Sequence, residues 1–538
     1  MTGALLRAAR SESRTRAAIL VCLAAILPYV VTLNDYFVRD DFGVVQLLGA
    51  KPWNEWPRWF VTSWMDDIWG LNADEIRPFP AMSYQLTALG GPASPWLHHA
   101  LNVALHAANS LLVLALAIEV AGLSVSAALV GATIFALLPV NVESVAWITG
   151  RVDSMPAFFY TAAFLAYARW RASARQGWYL GALALFFVAL FTKQTAITMI
   201  ATIVAYDALF GRLRGRFAVL PYVPFVAMTA GYLELRHRLF GEFVRESGLG
   251  WDRLIEFART TNRHLAHVVV GQVGEGLTAV SIAIVTLLAA WLAAGWRSPA
   301  ERARLRASVL FFGPVWWGIG VAPTLVAGYE SPRHVYLAAM GWAVVLGLAF
   351  HLLWSVADRP GWRRVARVAA GVVLTLYLVR LGQVVWESHV AAAVSEKAVA
   401  DVRAEALAAP PGTLLIVAAP VRSWEWALPF ALRPPYVAED LTKRVHVISP
   451  NWLHCCRPQW FQYTQDRLRD WSALRGETSI VVLRWDEDSG ALSRVSDREE
   501  PALRGTVPIL RALDSSDTLD AAVRRTVAYL VPAPGGSP

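Results

Sequence analysis

The chain has 538 residues, of which 56% are hydrophobic and 17% charged, and its mean hydropathy is +0.41. Soluble domains carry about 25% charged residues, so a single water-soluble globule and a disordered chain are both excluded. The three cysteines, Cys22, Cys455 and Cys456, are too few for a disulfide framework, and the adjacent two could pair only with strain. The net charge of +8 lies in arginine bunches that read as membrane topology, so no nucleic-acid partner is expected.

A transmembrane helix needs roughly 20 mostly apolar residues, and about eleven stretches qualify. They lie near 17–36, 96–118, 122–140, 153–170, 177–192, 195–210, 217–236, 276–296, 307–327, 334–355 and 365–385. The first follows Arg7, Arg10, Arg14 and Arg16 like a signal peptide, but no small-residue cleavage site follows it, so it reads as a retained helix. Arginine then gathers at 169–175, 212–216, 297–306 and 359–367, each time in an alternate loop. Cytoplasmic loops collect Lys and Arg. The expectation is therefore a multi-pass protein of the bacterial inner membrane with its N-terminus cytoplasmic. Its outer face would carry the loop 37–95, the loop 237–275, several short loops and everything after 385. Residues 386–538 have turn-rich composition with β-rich runs at Thr413–Ala419, Arg444–Ile448 and Ser479–Leu483, and read as a small periplasmic α/β domain behind a membrane domain 1–385.

Ionisable groups at membrane depth are costly and usually serve a site or pathway, and here they gather at the outer face. Asp40 and Asp41 follow the first span, and Arg77 ends the same loop. His99, Asn102 and His106 sit in the second span, and Glu143, Arg151 and Asp153 lie between the third and fourth. Lys193 caps the fifth, while Glu330, Arg333, His334 and Tyr336 open the tenth. Each has an ordinary alternative. An acidic pair can simply end a helix. His99, Asn102 and His106, at i, i+3 and i+7, share one helix face and suit interhelical hydrogen bonds as well as a metal. Lys193 is one of four lysines among 49 basic residues, which argues for a specific task, although lysines at helix ends also snorkel. Arg77, Arg151 and Arg333 could each be a carboxylate's structural partner.

The order Phe37-Val38-Arg39-Asp40-Asp41, Arg77-Pro78-Phe79, His99-x-x-Asn102-x-x-x-His106, Pro139 to Asp153, Thr192-Lys193-Gln194 and Arg333-His334-x-Tyr336 resembles the membrane half of the transmembrane and tetratricopeptide-repeat O-mannosyltransferases and their bacterial relatives. These lie within the GT-C glycosyltransferases, together with the protein O-mannosyltransferases. The resemblance covers residues 34–341 and is most specific in Glu143-Ser-Val-Ala-Trp-Ile-Thr-Gly-Arg151. It departs at Leu138, where the family commonly has histidine, at Gln194, where it has an acidic residue, and after the membrane half, where residues 386–538 replace a repeat array.

The resemblance implies an all-α polytopic GT-C domain that transfers mannose or another hexose from a polyprenyl-phosphate donor to a protein, lipid or glycan hydroxyl, with inversion. Asp40 would be the general base with Asp41 supporting. Lys193, Arg333, Arg77 and Arg151 would bind the donor phosphate, and Glu143, Asp153, His99, Asn102, His106 and Tyr336 would support sugar or acceptor. No metal ligands are assigned, and a divalent cation is the one optional cofactor. Two other classes share the helices. A lipid-linked-sugar flippase would place its ionisable groups near the midplane with repeat symmetry, and an assembly protein would need no polar cluster. Reporter fusions after residues 215 and 400 are expected to read inside and outside respectively; the same side for both would refute this topology.

Overall fold

The computed structural model describes residues 2–64, 75–91, 93–213, 218–243, 251–271, 275–294, 299–324, 331–355, 360–418, 428–448, 480–486 and 488–495. Glu330, Cys455, Cys456 and the first residue of the expected run at 479 lie outside these. Helices are α1 (Thr2–Ile26), α2 (Asp41–Ala50), α3 (Pro78–Ala88), α4 (Trp96–Glu119), α5 (Val125–Leu137), α6 (Val142–Val145), α7 (Arg151–Ser173), α8 (Gln176–Leu190), α9 (Met199–Leu209), α10 (Val223–Phe240), α11 (Trp251–Val270), α12 (Glu275–Ala294), α13 (Pro299–Leu310), α14 (Trp316–Val321), α15 (Tyr336–Ser355) and α16 (Pro360–Ala408). A helix occupies each of the eleven stretches expected to span.

Among the described residues, four helical segments are long and apolar enough to cross a membrane, and five if the bent pair α5 and Pro139–Val145 is one span. The chain is thus a multi-pass membrane protein. Helix length explains part of the difference from eleven. The 15 residues of α8 rise about 22 Å, short of a hydrocarbon core of roughly 30 Å.

The bend after α5 follows from its sequence. A residue before proline is pushed out of the helical region, and Leu138 is extended at φ −64°, ψ 121°. The chain then winds through α6 into a short helical turn at Ile148–Gly150. Asn141 Nδ2 donates to the Phe135 carbonyl at 2.8 Å, and Asn102 Nδ2 donates to the carbonyls of Trp147 and Ile148 at 2.9 and 3.1 Å. Carbonyls freed by the irregular backbone are therefore satisfied from within. Gly150 is required here, since a Cβ would lie 2.1 Å from the Glu143 carbonyl oxygen.

The break expected at 385/386 is not a break in the backbone. α16 continues through it for 49 residues, about 74 Å. Its far end presents Ala398, Val399, Val402 and Ala406, all buried, to a core shared with Phe37, Phe42, Val45 and Leu48 from the loop after α1 and with Leu415, Val417 and Leu483 from the sheet. That sheet has strand order β2-β1-β3-β4, with β1 (Leu414–Ala418) parallel to β2 (His446–Ile448) and β3 (Ile480–Asp486), and β4 (Ala491–Val495) antiparallel to β3. Polar contacts join the same parts. Ser395 Oγ donates to the Phe37 carbonyl at 2.7 Å, and the Tyr436 hydroxyl donates to the Phe42 carbonyl at 2.8 Å. His389 Nδ1 meets Asp35 Oδ1 at 2.5 Å. The loop after α1 and the C-terminal sheet form one packed unit.

Val402→Asp would bury a carboxylate in that shared core, which costs several kcal/mol whether it ionises or not. A melting temperature lowered by several degrees is expected in detergent. An unchanged value would contradict the shared core.

Candidate active site

The Asp40-Asp41 pair sits in a tight turn in which Arg39 takes a left-handed φ of 55°. Its two carboxylates have different fates. Asp41 is fully buried; its Oδ1 accepts from the Thr149 backbone N–H at 2.9 Å and hydroxyl at 2.6 Å, and its Oδ2 accepts from the Val38 N–H at 3.2 Å. Burial pushes its pKa up to about 7 against those hydrogen bonds, which favour the ionised form. Asp40 is half-buried, and its carbonyl accepts from the Val44 N–H as the first bond of α2. Asp41 therefore fastens the turn to the run 143–151, while Asp40 stays partly accessible.

Beyond this turn runs a chain of alternating charges. Glu143 accepts from the Ser331 hydroxyl at 2.5 Å, from the Arg333 backbone N–H at 3.2 Å, and from the Nη1 groups of Arg333 and Arg39 at 3.4 Å each. The two guanidinium groups lie 4.9 and 5.5 Å from the Trp147 ring, a cation–π arrangement. Arg333 Nε continues to Asp153 Oδ2 at 3.1 Å, and Asp153 Oδ1 is paired with the Lys193 ammonium.

Lys193, Asp153 and Arg333 open onto a cavity of about 330 Å3, with Arg77 and Tyr336 also in its wall. Glu75, Arg236 and His334 line it too, and neither Glu75 nor Arg236 stood out in the sequence. Arg236 is almost fully buried, yet it lies between Glu234 and Arg238, which pair at 2.7 Å on an exposed face of α10. Its neighbours make it look like one more charge at a solvated helix end. Four cations, Arg77, Lys193, Arg236 and Arg333, thus face two carboxylates, Glu75 and Asp153. Arg77 Nη2 is held by Glu75 Oε1 at 2.8 Å.

The remaining candidates lie away from this wall. Arg151, fully buried, donates to Asn102 Oδ1 at 3.0 Å, to the Ser83 carbonyl and hydroxyl at 3.2 Å and to the His98 carbonyl at 2.9 Å, with its guanidinium 4.4 Å from the Tyr84 ring. Its donors are spent on tying α3 and α4 to α7. His99 Nε2 meets the Asp35 carbonyl at 3.0 Å. His106 meets the Tyr336 hydroxyl at 2.8 Å and the Ala136 carbonyl at 3.1 Å. The His106 contacts are the interhelical kind, while His99 ties α4 to the segment after α1. Asp40 and Glu143 are not among the lining residues; Glu143 reaches the cavity through Arg333. Among the described residues no group of three or more His, Cys, Asp or Glu is placed to hold a metal ion.

No family model matches the chain. Among curated proteins it is 32% identical over 207 residues to the protein O-mannosyl-transferase Tmtc2 of Drosophila melanogaster, covering 35% of this chain and 21% of that protein. It is 28% identical over 237 residues to TMTC4 of Homo sapiens, covering 38% and 31%. About a third of this chain is thus similar to part of the protein O-mannosyl-transferases. Its match spans only about a fifth to a third of the length of these relatives. Of solved structures, apo ArnT from Cupriavidus metallidurans aligns over 88% of this chain and 94% of its own at 16% identity, with a TM-score of 0.48. The S. cerevisiae Pmt1-Pmt2 complex bound to the sugar donor aligns over 45% and 36% at 16% identity, with a TM-score of 0.32.

Two predictions follow from these contacts. Arg151→Ala strips partners from Asn102 and three carbonyl or hydroxyl oxygens and is expected to cost about 3 kcal/mol or more, read as a lower yield of folded protein; a stable variant with impaired donor binding would return Arg151 to the phosphate site. Because the pKa of Asp41 is raised on folding, the folded state favours its protonated form. That contribution to stability is complete below about pH 4, the unfolded value, and is lost as pH rises through about 7. Asp41→Asn is expected to flatten the stability profile in this window, and an unaltered profile would refute the assignment.

Proposed function

We propose that the chain is a GT-C glycosyltransferase that moves a hexose, mannose or a close relative, from a polyprenyl-phosphate lipid to an acceptor hydroxyl at the outer face of the membrane. The observation that carries this reading is the cavity in which four cations oppose two carboxylates. Bonded to the sugar, the lipid phosphate is a monoanionic diester. When the bond to the anomeric carbon breaks, it leaves as a monoester bearing one more negative charge. Cations already fixed around the phosphate stabilise that added charge without reorganising in the transition state, and Arg and Lys suit phosphate oxygens. Lys193, Arg333, Arg77 and the newly recognised Arg236 are the residues for this task. Arg151, with its donors engaged, is assigned to the scaffold.

The acceptor hydroxyl is a poor nucleophile at neutral pH, so a base must take its proton as its oxygen attacks the anomeric carbon. In this reading Asp40 is that base and Asp41 fixes its turn. One displacement without a covalent intermediate inverts the anomeric centre. The acceptor supplies only a hydroxyl, so a protein, lipid or glycan can serve. The topology that fits has the eleven helical stretches crossing the membrane, the N-terminus cytoplasmic, and the turn, the cavity and the C-terminal sheet outside, in the periplasm of a bacterium.

With polyprenyl-phosphate mannose as donor probe, Asp40→Asn is expected to lower the transfer rate about 10²–10⁴-fold with donor affinity unchanged, whereas Lys193→Ala, Arg236→Ala and Arg333→Ala should weaken donor binding in folded protein. Full transfer by the Asp40 variant would remove it as base. Unaltered donor affinity in all three cation variants would sink the phosphate site.

A further inference from the structure

A second cavity, of about 630 Å3, lies toward the other end of α7 and has no part in the proposed transfer. The first cavity uses Asp153, Pro156 and Tyr160 near the start of that helix, whereas the second uses Leu165, Arg169 and Ala172 near its end. From Asp153 to Arg169 the helix rises about 24 Å. The two cavities are separate sites.

The wall of the second cavity is divided. Leu165, Tyr206, Leu209 and Phe210 make it apolar on one part, while Arg169, Arg212 and Arg304 carry charge on another against a single lining carboxylate, Glu119. Arg169 is matched, since its Nε and Nη2 donate to the two oxygens of Glu119 at 2.8 Å each. The adjacent Arg171 is matched as well, by the buried Asp207 at 2.8 Å, which also accepts from the hydroxyls of Tyr167 and Tyr222. Arg212 and Arg304 have no carboxylate partner among the described residues.

Arg212 is nevertheless held in place, and Arg304 lies beside a glycine. Arg212 and Arg171 exchange hydrogen bonds with each other's backbone carbonyls, at 3.2 and 2.9 Å, so the Asp207 cluster fixes the position of Arg212. Arg304 lies against Gly122, which has a φ of +77° and where a Cβ would fall 2.4 Å from the guanidinium carbon. A general excess of arginine in a loop does not call for that exchange. Two guanidinium groups with no carboxylate partner among the described residues, beside aromatic and aliphatic walls, suit a phosphate attached to something apolar.

We propose that this cavity binds the headgroup of an anionic phospholipid, with its phosphate between Arg212 and Arg304 and its apolar part against Tyr206 and Phe210. Basic pockets between membrane helices bind such headgroups, at roughly a fivefold gain in affinity per Arg near the surface. A free phosphate would satisfy the arginines but leave the apolar wall unused. The proposal is independent of the transferase reading, because it needs no donor and no turnover.

The test uses the full chain in detergent, titrated with phosphatidylglycerol or phosphatidylcholine, with bound lipid counted by native mass spectrometry. Wild type is expected to retain phosphatidylglycerol over phosphatidylcholine. Arg212→Gln with Arg304→Gln should weaken that binding about 25-fold, Arg304→Lys should weaken it less, and Arg363→Gln with Arg364→Gln, outside the cavity, should leave it unchanged. Melting temperatures of all variants check that each is folded. Equal binding of the two lipids, or equal loss in the two double variants, would overturn the proposal. Displacement of phosphatidylglycerol by equimolar inorganic phosphate would overturn the choice of a lipid.

Discussion

Asp153, placed between Lys193 and Arg333, is the constraint on which the candidate site depends. Two cations that close repel each other and are costly to desolvate, so neither would stay aimed at one cavity without a carboxylate between them. Glu143 repeats the arrangement one step further out, between Arg333 and Arg39. The outcome is a row of charges whose positions are fixed by one another before any substrate enters. In the proposed transfer an anionic donor would meet cations that need no reorganisation, the condition under which electrostatic stabilisation is most effective.

The same row ties the cavity to the Asp40 turn. Arg39 precedes Asp40 and shares Glu143 with Arg333, while Asp41 is fastened to Thr149 on the segment that also carries Glu143. Ser395 and Tyr436 hold the other side of the turn through the Phe37 and Phe42 carbonyls. The contacts of the C-terminal unit thus suit a role in positioning the turn.

The sequence made the helical stretches legible because apolar runs near 20 residues have few other uses. It also made Lys193, Asp153 and Arg333 legible, because charge beside such runs is expensive. Residue type alone could not separate Arg151 from them: a guanidinium whose donors end on carbonyls and one facing a cavity look alike in a string of letters. Arg236 was hidden for the opposite reason, among charges that do face solvent. The domain boundary expected at 385/386 falls inside α16, where Glu387, Glu396, Lys397 and Asp401 raise the polarity while the apolar positions Ala398, Val402 and Ala406, spaced four apart, form the face that packs.

The most direct measurement is a structure of the full chain with a polyprenyl phosphate bound, resolved well enough to locate the phosphorus. The account predicts that the phosphate lies in the outer-face cavity, within hydrogen-bond reach of Lys193 and Arg333 and near Arg236, with the path to Asp40 open. A phosphate found elsewhere, with Lys193 and Arg333 still paired to Asp153, would contradict it.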